Sequence, residues 1–92
     1  MKREIVTLLG RVQGVGYRER VIDIARGRAI AGSVRNLRSG ALEVDVEGDD
    51  GAVDAFVAAL VTEAPQFARV EDVLRRSASP AGARGFGRAP TE

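Results

Sequence analysis

The chain has 92 residues, of which 45 % are hydrophobic and 29 % charged, and its formal net charge is +1. That length suits one small domain, and hydrophobic content in the ordinary globular range excludes disorder of the whole chain. With no cysteine and no histidine, the chain lacks a thiolate nucleophile, an imidazole base and any nitrogen or sulfur ligand for a metal. A near-neutral balance gives no overall attraction to nucleic acid, so any anion site must be local.

Met1-Lys2-Arg3 leads straight into a strand-like stretch holding Glu4 and Thr7, with no h-region of a signal peptide. No apolar run approaches the roughly 18 residues of a membrane span. The expectation is a cytoplasmic protein with no membrane partner. Arg3 to Gly10 is apolar on both alternating faces, which predicts a central strand covered on both sides. Tyr17 to about Ile30 predicts a helix, with Tyr17, Val21, Ile24 or Ala25, and Arg28 on one stripe; Gly27 in its last turns predicts an early end.

Gly32 to Leu37 reads as a short strand, and Arg38-Ser39-Gly40 as the tight turn into Ala41–Glu47. In that strand Leu42, Val44 and Val46 alternate with Glu43, Asp45 and Glu47, which predicts one buried and one solvated face. A second helix is predicted to about Glu63, with Asp49 or Asp50 accepting from its first amides and Val53, Phe56, Val57 and Leu60 buried. Pro65 ends it. Ala68 to Arg76 alternates imperfectly, as a bulged strand does. Residues 77–92 are rich in Gly, Pro and small side chains and read as a weak last strand or tail, with Phe86 alone able to reach a core. Arg75, Arg76, Arg84 and Arg88 read as solvated. The order β-α-β-β-α-β over residues 1–92 predicts an α+β, ferredoxin-like two-layer sandwich: an antiparallel sheet with two helices on one face.

Residues 10 to 18, G-R-V-Q-G-V-G-Y-R, place Gly10, Gly14 and Gly16 between the first strand and the first helix. Successive backbone N–H groups there can curl into a concave nest, and the helix adds free amides and the positive end of its dipole. Arg18 on the first turn offers a planar fork matched to phosphate oxygens. The spacing is neither a Walker A loop nor a dinucleotide fingerprint, and two readings stay open: an anion cradle, or a glycine turn packed close to the helix. Arg11 reads as a solvated loop residue.

These residues, with G-S-V-R-N at 32–36 and L-E-V-D-V-E-G at 42–48, resemble the acylphosphatase family, whose loop has the form G-x-V-Q-G-V-x-[FY]-R and whose second signature is G-[WYF]-V-x-N. The resemblance implies hydrolysis of the carboxyl-phosphate bond of acyl phosphates, a small-molecule substrate, without metal or other cofactor. Nothing in the sequence demands more than a monomer, and A-L-E-V-D-V-E has no aromatic residue to stack on a base, so no nucleic-acid partner is expected. The resemblance also implies that Gln13, Gly14, Val15, Gly16 and Arg18 bind the phosphate, and that Arg18 and Asn36 are catalytic, Asn36 by orienting the attacking water. The alternative is a non-catalytic anion-binding module of the same fold. Ser33 stands where the family usually has an aromatic, which predicts looser packing beside Asn36.

Overall fold

The computed structural model describes all 92 residues. Its elements are β1 (Lys2–Arg11), α1 (Tyr17–Ala25), β2 (Ile30–Asn36), β3 (Leu42–Gly48), α2 (Asp50–Thr62), β4 (Arg69–Ala78) and β5 (Phe86–Arg88). The five strands form one sheet in the order β4-β1-β3-β2-β5. β3 pairs antiparallel with both β1 and β2, so β1 and β2 run parallel to each other with β3 between them. The carboxyl ends of β1 and β2 therefore meet at one end of the sheet, and no helix is long and apolar enough to cross a membrane.

Period-two alternation sorts the sheet into two faces. Val6 and Leu8 of β1, Val34 of β2, and Leu42, Val44 and Val46 of β3 all point to the helix layer and are fully buried there. They meet Tyr17, Val21, Ile24 and Ala25 of α1 and Val53, Phe56, Val57 and Leu60 of α2. Each fully buried large aliphatic or aromatic side chain contributes about 1.5–3 kcal/mol relative to exposure. The second covering layer expected over β1 is absent: both helices lie on one face, and Ile5 sits on the other between its register partners Asp45 and Arg76. α1 ends at Ala25, where Gly27 turns the chain with φ 75°, so Arg28 lies beyond the helix and its Nε donates back to Ile24 O at 2.9 Å.

Two other expectations are corrected and a third is refined. Neither Asp49 nor Asp50 caps α2 through its side chain; Asp50 faces the Met1 amino group at 3.6 Å instead. Arg75 is exposed, as expected, but paired: its guanidinium binds Glu4 at 2.6 Å and Asp54 of α2 at 2.7 Å, with Lys2 joining both carboxylates. The carboxylates of β3 are also committed: Asp45 to Arg3 at 2.7 Å, Glu43 to Arg35 at 2.9 Å, and Glu47 to the backbone amides of Ala81, Gly82 and Ala83 at 3.0–3.2 Å. Glu47 is buried as a result.

That three-amide nest turns the tail back, and residues 85–92 then track β2. Gly32 N–H donates to Gly85 O at 2.9 Å, Ala89 N–H to Val34 O at 2.9 Å and Glu92 N–H to Asn36 O at 3.2 Å. Phe86 packs edge-on against Phe56, ring centroids 5.5 Å apart. The expected bulge is in β4, where the register skips Glu71 opposite Gly10. A Cβ on Gly10 would lie 2.2 Å from Arg69 O, and one on Gly32 1.8 Å from Asp45 O, so close backbone approach demands glycine at both.

The amides of Ala83, Ala81 and Gly82 hold the Glu47 carboxyl below the ordinary value of 4.5. A lowered folded pKa means that this stabilisation is complete above the ordinary value and is lost as pH falls through the folded one. Glu47→Gln should lower Tm at pH 7 and make the further fall of Tm between about pH 5 and pH 3 shallower than in wild type. Thermal melts across that range check it, and a Tm profile unchanged by the substitution would refute the nest.

Candidate active site

The loop Val12–Gly16 leaves the end of β1 and delivers the chain to the N-terminus of α1. Gly14 and Gly16 take left-handed conformations, with φ 72° and 77°, which side chains with a Cβ adopt only at a cost. A Cβ on either would meet no atom within 4 Å. The reading of a turn packed against the helix is thereby corrected: these glycines face open space. The backbone N–H groups of Gln13, Gly14, Val15 and Gly16 donate to no protein acceptor, and the first helical bond is Arg20 N–H to Gly16 O at 3.1 Å. Gly16 gives α1 no side-chain cap. Unpaired amides and an uncapped positive helix end thus converge on the same space.

Residues Val12, Gln13, Gly14, Gly16, Tyr17, Arg18, Glu19 and Asn36 line a cavity of about 110 Å³ at this point. Of the residues expected from sequence, Gln13, Gly14, Gly16, Arg18 and Asn36 come together there. Val15 does not line it; its side chain packs against the core, leaving only its amide for the loop. Arg18 makes no ion pair or side-chain hydrogen bond in the molecule, and neither does the Asn36 carboxamide. The site therefore offers a free guanidinium, a free carboxamide and a row of free amides, the donors that an oxyanion takes up.

Asn36 reaches the site because it ends β2 on the same face as the buried Val34, beside the start of α1. Ser33 lies on the opposite face, in register with Asp45, so its small side chain does not loosen the packing beside Asn36. The Gln13 side chain leaves the loop sideways: its Nε2 donates to Leu37 O at 2.7 Å and Ala41 O at 2.9 Å. From the other side Glu92 O accepts Arg38 N–H at 2.8 Å. Sequence reasoning missed Glu19, which lines the cavity and is paired with Arg88 of β5. Its place beside Arg18 on the first helical turn was the available signal. It also missed Tyr17 as an anchor: the buried hydroxyl donates to Leu60 O, and burial pushes its pKa up to about 12, so it stays a neutral donor joining α1 to α2.

A model of the family described as Acylphosphatase matches residues 5–87. Among curated proteins, an acylphosphatase of Acidiphilium cryptum is 43 % identical over 79 residues, 86 % of each chain. One of Nocardioides sp. is 44 % identical over 82 residues, covering 89 % of this chain and 82 % of that one. Among solved structures, the acylphosphatase from Bacillus subtilis superposes with a TM-score of 0.90 at 33 % identity, over 97 % of this chain and 99 % of that one.

A row of free donors should bind an anion in the folded state only. Inorganic phosphate is expected to raise Tm in a concentration-dependent way, by mass action. In Arg18→Ala the rise should be largely lost. Melts in a phosphate series check this, with chloride at matched ionic strength as the control.

Proposed function

Because the chain belongs to the acylphosphatase family, we infer that it cleaves acyl phosphates by direct attack of water on a phosphoryl group held in the loop. The family and its relatives support the coarse reaction, acyl phosphate to carboxylate and inorganic phosphate. The finer mechanism is argued from the site, and one observation carries it: Gln13, Gly14 and Gly16 with their unpaired amides, Arg18 with its free guanidinium and Asn36 with its free carboxamide border a single cavity.

Bond cleavage expels a carboxylate, whose conjugate acid has a pKa of about 4 to 5. So weak a base leaves without a general acid, which suits a chain with no histidine. Phosphoryl transfer passes through a loose transition state with negative charge on the three equatorial oxygens. In the proposed geometry the loop amides and Arg18 are donors fixed in advance toward those oxygens, so little reorganisation is needed as charge develops. Asn36 holds the attacking water opposite the leaving carboxylate, a positioning effect. The loop and Arg18 supply the positive charge that a metal ion provides in other phosphoryl-transfer sites, so the reaction proceeds without one. Every group in this reading comes from one copy of the chain.

The test is release of phosphate from a model acyl phosphate, assayed with and without EDTA. Wild type should be active and unaffected by the chelator. Arg18→Ala should lose about 3 kcal/mol or more of transition-state stabilisation, on the order of a hundredfold or greater in kcat/KM. Asn36→Ala should fall chiefly in kcat, again by about a hundredfold. A wild type that binds phosphate without turnover would instead make the chain an anion-binding module, and full activity in either variant would remove that residue from the mechanism.

A further inference from the structure

We propose that the Gln13 side chain is a positioning residue for Asn36, coupling the phosphate loop to the hairpin that carries the water-orienting carboxamide. The inference rests on the reading of Asn36 given above and adds a role for Gln13 distinct from that of its backbone amide.

The geometry separates the two parts of this residue. Its backbone N–H belongs to the loop and is unpaired. Its side-chain amide spends both hydrogens on the β2–β3 hairpin, one on Leu37 O at 2.7 Å and one on Ala41 O at 2.9 Å. A primary amide has only two N–H bonds, so this group keeps no donor for a phosphate oxygen, and its Oε1 offers an anion only repulsion. Binding substrate is therefore not what the side chain does.

Those two carbonyls form the mouth of the turn. Leu37 N–H donates to Ala41 O at 2.9 Å, and Gly40 N–H to Leu37 O at 3.0 Å. Leu37 follows Asn36 directly, and Ala41 precedes Leu42, the register partner of Asn36. A carboxamide bridging both carbonyls thus fixes the peptide next to Asn36 on both strands at once. Nothing else does so from the loop. The β1–β3 ladder ends at Leu8 opposite Leu42, after which β1 pairs only with β4 through Arg11. Residues 12–16 make no other hydrogen bond to the hairpin. With the bridge in place, the phosphate cradle and the water carrier move as one body; without it, their separation depends on packing alone. A displacement near 1 Å between reacting groups costs about a hundredfold in rate.

The experiment pairs Gln13→Met, close in volume but without a donor, with Asn36→Ala in a double-mutant cycle on the full chain. In the wild-type background Gln13→Met should lower kcat about tenfold or more. The inhibition constant for inorganic phosphate should stay within about twofold, since the loop amides remain. In the Asn36→Ala background, the same substitution should change the residual rate by less than about twofold, because the group it positions is gone. Equal losses in both backgrounds, or phosphate affinity falling in step with kcat, would overturn the coupling and leave the Asn36 reading standing. Full activity in Asn36→Ala would instead remove the premise and the coupling with it. Far-ultraviolet circular dichroism verifies folding; should Gln13→Met unfold, Gln13→Asn, which stops one carbon short of the hairpin, is read by the same criteria.

Discussion

The insertion of β3 between two parallel strands is the constraint from which the site follows. Adjacent strands lie about 4.8 Å apart, so β1 and β2 are separated by roughly 10 Å with their carboxyl ends side by side. That gap is about the diameter of a helix with its side chains. α1 starts at the end of β1 and returns across the helix face to β2, so its first turn, with Arg18, lies between the loop and Asn36. A hairpin joining β1 directly to β2 would have put those carboxyl ends at opposite edges of the molecule.

The same backbone device appears twice, once satisfied from within. Around Glu47 three successive amides of the tail close on a carboxylate that belongs to the fold. At the end of β1, unpaired loop amides border a cavity that Arg18 and Asn36 also line, and its one carboxylate, Glu19, is balanced by Arg88. The first nest is structural: it turns residues 81–83 so that β5 can cover the free edge of β2 and so that Glu92 can reach the Asn36 carbonyl. In the second, the amides of residues 13–16 meet no acceptor of the protein. What separates them is whether a side chain of the protein reaches the cradle.

Much of this was legible residue by residue. The alternation in L-E-V-D-V-E identified β3, and the apolar spacing of Val53, Phe56, Val57 and Leu60 identified α2, because burial on one face leaves a periodic trace in any sequence. Gly27 announced the early end of α1. The failures have a common physical origin. Asp45 and Glu47 look solvated because their partners, Arg3 and the tail amides, are distant in sequence, and Glu43 because Arg35 meets it only once β2 and β3 are in register. Arg75 and Arg88 look like loose surface cations for the same reason, their carboxylates being Glu4, Asp54 and Glu19. The sequence 77–92 lacks strand-forming residues, yet its backbone finds β2 as a template, with Phe86 anchored on Phe56.

For the site, local pattern determined the conformation: glycines at positions 14 and 16 permit the left-handed turns, and an arginine two residues on must lie on the first turn of the helix. The pairing of that loop with Asn36 was legible only through resemblance, since no local rule joins residues eighteen apart. Tertiary structure alone decided that Asn36 faces the helix layer while Ser33 does not, that Gly14 and Gly16 look onto open space, and that Gln13 turns its side chain to the hairpin. Sequence fixes the torsional preferences of a segment because those depend on near neighbours. Which groups a donor finally meets depends on contacts between distant segments, and those exist only once the sheet has formed.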